Sequence, residues 1–308
     1  MDLRTNFKNL RQDYPRLVLG LGNFDGVHLG HQELIRRMVE RARRLGGVPG
    51  IFTFHPHPVS VLRPEHAPPL LLTQETKEEI IAGLGVRLLL RIPFTLEFAR
   101  LSPEEFIRDV LYTQLGVVSV FVGYNYTFGH RGRGTPATLA EFSQIYGFET
   151  NVVEPVEVAG EVVSSTKIRE LLSRGRVEEA RRFLGFAPFV DGTVVSGDGR
   201  GRRLGFPTAN LETSPDILIP ANGVYAVKAE ISGQRHSGVA NIGYRPTFAG
   251  ADSGRNLEVH LFDVADNLYG KSMRVFFSRY IRGEQKFGSP AELIRQIEAD
   301  IRQARAVE

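Results

Sequence analysis

The sequence predicts an α/β domain wound around a parallel sheet, followed by a smaller antiparallel β-domain that ends in a single helix. Two observations carry that prediction. Short apolar runs alternate with segments of helical periodicity as far as about residue 185, the pattern of strands joined by helical crossovers. Around Ala187-Pro188 the rhythm changes to short alternating segments separated by glycine-rich turns, the pattern of an antiparallel barrel or sandwich.

The first strand is the apolar run Leu17-Val18-Leu19-Gly20-Leu21. Leu34, Ile35, Met38, Ala42 and Leu45 then recur at helical spacing until Gly46-Gly47 closes the helix. Residues 49–54 read as the second strand and run into His55-Pro56-His57-Pro58. A helix over residues 75–84 precedes Val86-Arg87-Leu88-Leu89-Leu90, a strand buried on both faces. Ser102-Pro103-Glu104-Glu105 starts the next helix, with serine as N-cap, proline at the first helical position and glutamate at the third, and Gly116 ends it. Residues 117–122 form another strand and residues 136–146 another helix. After the change of rhythm, strands are expected over residues 193–196, 224–231, 238–242, 257–262 and 273–277. Ser289-Pro290-Ala291-Glu292 repeats the capping pattern and opens a last helix with Leu293, Ile294, Ile297 and Ile301 on one face. The expected domains are residues 1–186 and 187–308.

Composition narrows the function. A chain of 308 residues is long enough for two cores, and its 42% hydrophobic and 24% charged fractions are those of an ordinary globular protein. The absence of cysteine excludes disulfides, thiolate chemistry and Cys-ligated zinc, and fits a reducing compartment. The first sixteen residues are charged and lack an apolar core, so they do not read as a signal peptide. No apolar run approaches membrane-spanning length, and the expected location is the cytoplasm. A net charge of +3 and a pI near 9.2 favour anionic ligands mildly, nucleotides as well as nucleic acids.

The densest chemistry lies in Gly22-Asn23-Phe24-Asp25-Gly26-Val27-His28-Leu29-Gly30-His31, where a strand turns into a helix. Open N–H groups at a helix start favour anions, and Gly22, Gly26 and Gly30 let backbone approach a ligand closely. His28 and His31 are three apart, so in a helical turn they project from one face, placed to donate to a triphosphate. Three further pieces are expected at the same carboxyl edge of the sheet. Gly123-Tyr124-Asn125-Tyr126-Thr127-Phe128-Gly129 follows a strand, Val163-Ser164-Ser165-Thr166-Lys167-Ile168-Arg169 ends a strand and starts a helix, and His55 and His57 lie just past the second strand.

Each piece alone has a plainer reading. The glycines could make only a tight turn, and the serines and threonine only a helix cap. The four histidines between positions 28 and 57 could hold a metal, although no acidic partner stands at zinc spacing. Arg36, Arg37, Arg41, Arg43 and Arg44 read as a solvated helix face, since no aromatics interleave them as a nucleic-acid stripe would require. Neither GxxxxGK[ST] nor GxGxxG occurs.

In combination these segments are far more specific. The turn at 22–31 and the run at 163–169 resemble the nucleotidylyltransferase superfamily that carries a His-x-Gly-His motif. Within it, the first half resembles the adenylyltransferase module of prokaryotic bifunctional riboflavin kinase/FAD synthetases, with a doubly wound parallel sheet. The resemblance implies that ATP lies over Gly22, Asn23, Phe24, Asp25 and Gly26, and that an FMN phosphate attacks its α-phosphorus. It further implies that His28, His31 and Asn125 donate to the α-phosphate and pyrophosphate oxygens, while Ser164, Ser165, Thr166 and Arg169 hold the outer phosphates. Phe54, His57 and Phe128 are candidates for the flavin ring from their place at the sheet edge.

The second half has its own constellation. Gly197-Asp198-Gly199-Arg200-Gly201-Arg202-Arg203-Leu204-Gly205-Phe206 is a cationic, backbone-rich loop that leads into a rigid turn, Pro207-Thr208-Ala209-Asn210. Leu257-Glu258-Val259-His260-Leu261-Phe262 alternates as a strand with Glu258 and His260 on one face. With residues 220–225 and 280–287, these segments resemble the riboflavin kinase module of the same family, which implies a small closed β-barrel. It also implies that Gly197, Gly199, Gly201 and Gly205 cradle ATP, that Thr208 and Asn210 bind Mg²⁺ and ATP phosphates, and that Glu258 is the base. Both steps are expected to need Mg²⁺. The substrates implied are ATP, riboflavin and FMN, with neither a nucleic acid nor a membrane as partner. Two alternatives stay open here: a kinase whose first domain has lost or exchanged its activity, for instance adenylylating another phosphorylated substrate, and a flavin-sensing or nucleic-acid-binding protein.

Overall fold

The computed structural model describes residues 1–197, 199–244, 255–264 and 267–307. The chain packs as two units, Met1–Ser164 and Ser165–Glu308. In the first, strands β1 (Asp2–Arg4), β2 (Leu17–Leu21), β3 (Val48–Phe54), β4 (Leu88–Ile92), β5 (Val117–Gly123) and β6 (Glu149–Val153) form one sheet in the order β1-β4-β3-β2-β5-β6. Every pairing in it is parallel. Helices α1 (Leu10–Asp13), α2 (Leu29–Leu45), α3 (Pro58–Leu62), α4 (Gln74–Gly83), α5 (Pro103–Glu105) and α6 (Pro136–Tyr146) make or cap the crossovers.

That order decides where a ligand binds. From β2 the chain adds β3 and β4 on one side, then crosses to place β5 and β6 on the other. The reversal leaves a crevice between the carboxyl ends of β2 and β5, the switch point at which open α/β sheets bind ligands. The turn at 22–31 leaves β2 there, and Asn125 follows β5. Gly20 lets α2 approach: a Cβ on it would lie 2.8 Å from Ile51 Cδ1 and 3.1 Å from Met38 Sδ. Leu34, Ile35, Met38 and Ala42 therefore bury the apolar stripe of α2 directly on the sheet.

The capping pattern at residue 102 appears as read, with the Ser102 hydroxyl accepting from Glu105 N–H and the Glu105 carboxylate accepting from Ser102 N–H. The segment then departs from the expected α-helix. Phe106–Gln114 is wound as a π-helix, and the Thr113 hydroxyl donates to the Arg108 carbonyl five residues back at 2.7 Å. Four of the five arginines of α2 are paired along its surface: Arg36 and Arg37 with Glu33 at 2.8 and 2.6 Å, Arg44 with Glu40, and Arg41 with Glu149.

The second unit begins with α7 (Ser165–Ser173) and α8 (Val177–Leu184). A barrel follows, made from β9 (Phe189–Val195), β10 (Ala209–Thr213), β11 (Gly223–Ile231), β12 (Gln234–Tyr244), β13 (Arg255–Leu261) and β14 (Ser272–Arg282). Between the first two of these strands lies the one-turn helix α9 (Arg200–Arg203), and α10 (Pro290–Arg305) ends the chain. The two-stranded hairpin β7 (Glu157–Val158) and β8 (Glu161–Val162) lies at the end of the first unit, just before α7. The barrel is closed and antiparallel in the order β10-β13-β12-β11-β14-β9, which decides between barrel and sandwich. Closure comes from β9, which pairs with β10 on one side and β14 on the other. Residues 209–210, read as part of a turn, are instead the start of β10.

One buried ion pair ties α10 to the barrel. Asp300 is only 2% exposed and accepts from Arg282 Nε at 2.9 Å and Nη2 at 2.7 Å, and from Gln296 Nε2 at 2.9 Å. Removing the acid leaves a guanidinium enclosed without its partner, a change that typically costs about 3–5 kcal/mol. Asp300→Ala is accordingly expected to lower the unfolding free energy of the second unit by that amount in a urea titration. A change below about 1 kcal/mol would show that water replaces the carboxylate.

Candidate active sites

The turn at 22–31 is a built structure with stored strain. Phe24, Gly26 and Val27 all take left-handed backbone angles, with φ of 52°, 79° and 37°. For a β-branched residue such as Val27 that conformation is costly, and such strain collects at functional sites. Burial holds it in place: Phe24 and Val27 are at most 1% exposed, and the Val27 carbonyl accepts from Gln32 Nε2 at 2.8 Å. Asp25 Oδ1 accepts from Leu71 N–H at 3.0 Å, and the Asn23 carbonyl accepts from Thr53 Oγ1 at 3.2 Å.

The two histidines meet as their spacing predicts. His28 is the N-cap of α2, and its Nδ1 accepts from His31 N–H at 3.4 Å. An imidazole that accepts at Nδ1 carries its proton on Nε2, so His28 is a donor at the other end of the ring. The rings stack with centroids 3.7 Å apart, and Phe24 packs on His31 at 5.2 Å. Burial above all, then the neighbouring His28 and Lys77, holds His31 well below the ordinary imidazole range, so it is neutral near pH 7. Its Nδ1 is buried and has no hydrogen-bond partner. A buried polar atom of this kind is normally paired.

The other predicted pieces are placed as follows. Asn125 is exposed just past β5, on the loop where Tyr126 N–H donates to the Gly123 carbonyl at 3.1 Å. His57 caps α3 through Nδ1, and its Nε2 lies 3.3 Å from Asn23 Nδ2. Phe54 is partly exposed against Phe94 and Phe98, whereas Phe128 is a core residue packed on Phe106 and Tyr126. Phe128 is 7% exposed. Val163 follows the β7–β8 hairpin rather than a strand of the main sheet. Its carbonyl faces the start of α2, 4.0 Å from a Cβ built on Gly30. Ser164 closes the first unit, and Ser165, Thr166 and Arg169 lie in the first turns of α7 in the second.

On the barrel, Asn210 stands directly opposite Glu258 in the pairing of β10 with β13. Asn256 Nδ2 bridges them, donating to Glu258 Oε1 at 2.8 Å and to Asn210 Oδ1 at 3.2 Å. Asn256 is absent from the sequence reading, although its two-residue offset from Glu258 on a strand could have signalled a shared face. The His260 ring lies on that face too, its Nδ1 donating to the Pro207 carbonyl at 2.8 Å, which anchors the segment bearing Thr208. Gly197 packs flat on the Asn210 amide: a Cβ there would sit 2.1 Å from Nδ2. Gly199 and Gly205 take φ of 65° and 90°, and the Gly201 carbonyl accepts from Phe206 N–H at 2.8 Å. Asp198 lies outside the described residues.

A second polar network is built on Arg255, at the start of β13, which the sequence reading did not single out. Arg255 Nε donates to Asn222 Oδ1 at 2.9 Å, Nη1 to the Ile219 carbonyl at 2.8 Å and Nη2 to the Pro220 carbonyl. Asn222 Nδ2 in turn donates to Glu284 Oε2 at 3.0 Å. Residues 220–225 and 280–287, which the sequence reading took together, are thus joined through the Asn222–Glu284 bond, with Arg255 holding Asn222. Among the described residues no group of three or more His, Cys, Asp or Glu side chains could hold a metal ion by itself.

Comparison with known proteins gives a consistent picture. The family model described as FAD synthetase matches residues 10–167, and that described as riboflavin kinase matches residues 184–308. A bifunctional riboflavin kinase/FMN adenylyltransferase of Listeria monocytogenes is 39% identical over 290 residues, covering 94% of this chain and 91% of that protein. The Bacillus subtilis protein of the same name is 39% identical over 297 residues, covering 96% and 93%. The Escherichia coli K12 protein is 38% identical over 284 residues, covering 92% and 90%. A crystal structure titled macrolide-efflux protein from Streptococcus pneumoniae superposes with a TM-score of 0.88 at 32% identity, covering 99% of this chain and 98% of that one. No helix among the described residues is long and apolar enough to cross a membrane.

Proposed function

The chain belongs to the family of bifunctional riboflavin kinases/FMN adenylyltransferases, and from that premise we propose which residues run each reaction. It phosphorylates riboflavin with ATP to FMN and adenylylates FMN with ATP to FAD. We assign adenylyl transfer to residues 1–186, phosphoryl transfer to residues 187–308, and both to the cytoplasm.

The two halves face different chemical problems. In adenylyl transfer an FMN phosphate oxygen bonds to the α-phosphorus of ATP as the bond to the pyrophosphate oxygen breaks. That nucleophile is already ionised, so the protein has to align it and stabilise charge that spreads onto the leaving group. His28 Nε2–H, His31 and the Asn125 amide serve as donors to those oxygens over the Gly22–Gly26 backbone. Ser164, Ser165, Thr166 and Arg169 hold the outer phosphates. The observation that carries this reading is the buried His31 Nδ1, unpartnered within the protein, beside the stacked His28 ring on a turn at the sheet's switch point.

Phosphorylation of riboflavin starts from a primary alcohol, whose proton has to leave as oxygen bonds to the γ-phosphorus and ADP departs. Glu258 takes that proton, oriented by Asn256. Gly197, Gly199, Gly201 and Gly205 let the loop backbone close on the phosphates. Thr208 and Asn210 offer hydroxyl and amide oxygens, the hard donors that suit Mg²⁺ when substrate phosphates and water complete its shell. Bound Mg²⁺ would neutralise phosphate charge in both reactions.

Incubation of the purified chain with riboflavin and Mg-ATP, with products separated by chromatography, tests the assignment. FMN followed by FAD is expected. FMN alone, even with FMN supplied, would mean that the first half has lost adenylyl transfer to FMN or exchanged it for another activity.

A further inference from the structure

Lys77 lies in Gln74-Glu75-Thr76-Lys77-Glu78-Glu79, the charged first turns of α4. The structure buries it to 8% exposure. Its Nζ donates to the Asn23 carbonyl at 3.3 Å, the same oxygen that receives the Thr53 hydroxyl. Two donors from different elements therefore fix one carbonyl in the middle of the phosphate turn. The charged and titratable groups around Lys77 are Asp25 in the turn, His31 at the start of α2, Glu78 beside it on α4, and Arg91 on β4, paired with Glu78 at 2.9 Å. Burial lowers the ammonium most, Asp25 and Glu78 oppose that, Arg91 adds to it, and the result lies at about 8.

The unfolded chain therefore binds this proton more tightly than the folded one, so a charge at position 77 costs the fold stability at neutral pH. An apolar side chain of similar length would fill the space without that cost. Function supplies the reason for a cation. A positive charge enclosed next to an anion-binding turn acts in low dielectric, where it is worth far more than on the surface. We propose that Lys77 is a positioning residue for adenylyl transfer, its buried ammonium holding the Asn23 carbonyl and adding positive potential to the turn that receives the nucleotide. The inference rests on the assignment of adenylyl transfer to that turn.

The test uses full-length Lys77→Met and Lys77→Arg, with FAD synthesis from supplied FMN and Mg-ATP followed between pH 6.5 and 9.5. Riboflavin phosphorylation is measured on the same samples. In the unsubstituted chain, kcat for FAD synthesis is expected to fall as pH rises through about 8, where the ammonium loses its proton. Lys77→Met should lower kcat about 10- to 100-fold, the scale of one charged hydrogen bond, and lack that alkaline limb. Lys77→Arg should retain more activity than Lys77→Met and carry the limb to higher pH, because a guanidinium stays protonated. Phosphorylation of riboflavin should be unchanged in both. Lys77→Met within threefold of the unsubstituted rate, or with the same alkaline limb, overturns the proposal. Where Lys77→Met shows no cooperative melting of the first unit, the Arg variant decides: a limb unmoved near pH 8 overturns it equally. An unsubstituted chain that makes FMN but no FAD refutes the assignment of the turn itself, an outcome distinct from both.

Discussion

Replacing His28 and His31 together with alanine is expected to lower FAD formation from supplied FMN by about 10⁴-fold, while riboflavin is still phosphorylated at the original rate. Loss of one preorganised donor to developing charge costs on the order of 10²–10³ in rate, and two are removed here. The structural cost is smaller: His28 caps α2, and losing a cap typically costs about 1 kcal/mol. His28→Asn separates these contributions, since asparagine can cap the helix but has no donor at the position of Nε2. Both activities are read from one reaction course by chromatography. A double variant that melts like the parent yet still makes FAD at a tenth of its rate or better would remove the histidines from the reaction. Loss of both activities in a folded double variant would count against two separate ATP sites.

How far this site could be read from sequence depends on which interactions are local. The turn at 22–31 was legible because its signals sit within fifteen residues: an apolar strand, three glycines, two histidines at helical spacing. The capping motifs at Ser102 and Ser289 were legible for the same reason, each a bond between residues three apart. Barrel closure was not, because it rests on β9 pairing with β10 and β14, the latter some eighty residues further along the chain. Nor was β1, three exposed residues held to the sheet by backbone bonds to β4. β6 escaped because Glu149-Thr150-Asn151 carries polar side chains on a sheet edge, where apolar patterning is not enforced. Lys77 was hidden in a charged stretch, and only tertiary packing turned it inward. The same holds for Arg255, whose three acceptors lie in residues 219–222.

Glu258 poses the sharper test of mechanism, because its chemical and structural roles can be pulled apart with one atom. Glu258→Ala should reduce phosphorylation of riboflavin by about 10²–10⁴-fold, the usual contribution of a positioned base, with supplied FMN still adenylylated at the full rate. Alanine also strips Asn256 of the oxygen it donates to, so the amide could drift from Asn210 and blur the interpretation. Glu258→Gln keeps an oxygen for Asn256 and nearly the same shape, but it cannot accept the alcohol's proton. If the carboxylate is the base, the Gln variant falls as far as the Ala variant, chiefly in kcat and with little change in KM for ATP. If the residue only orders the Asn210–Asn256 pair, glutamine restores most of the rate. A glutamine variant within tenfold of the parent would therefore move the proton-accepting role away from Glu258 and leave it as part of the scaffold that positions Asn210.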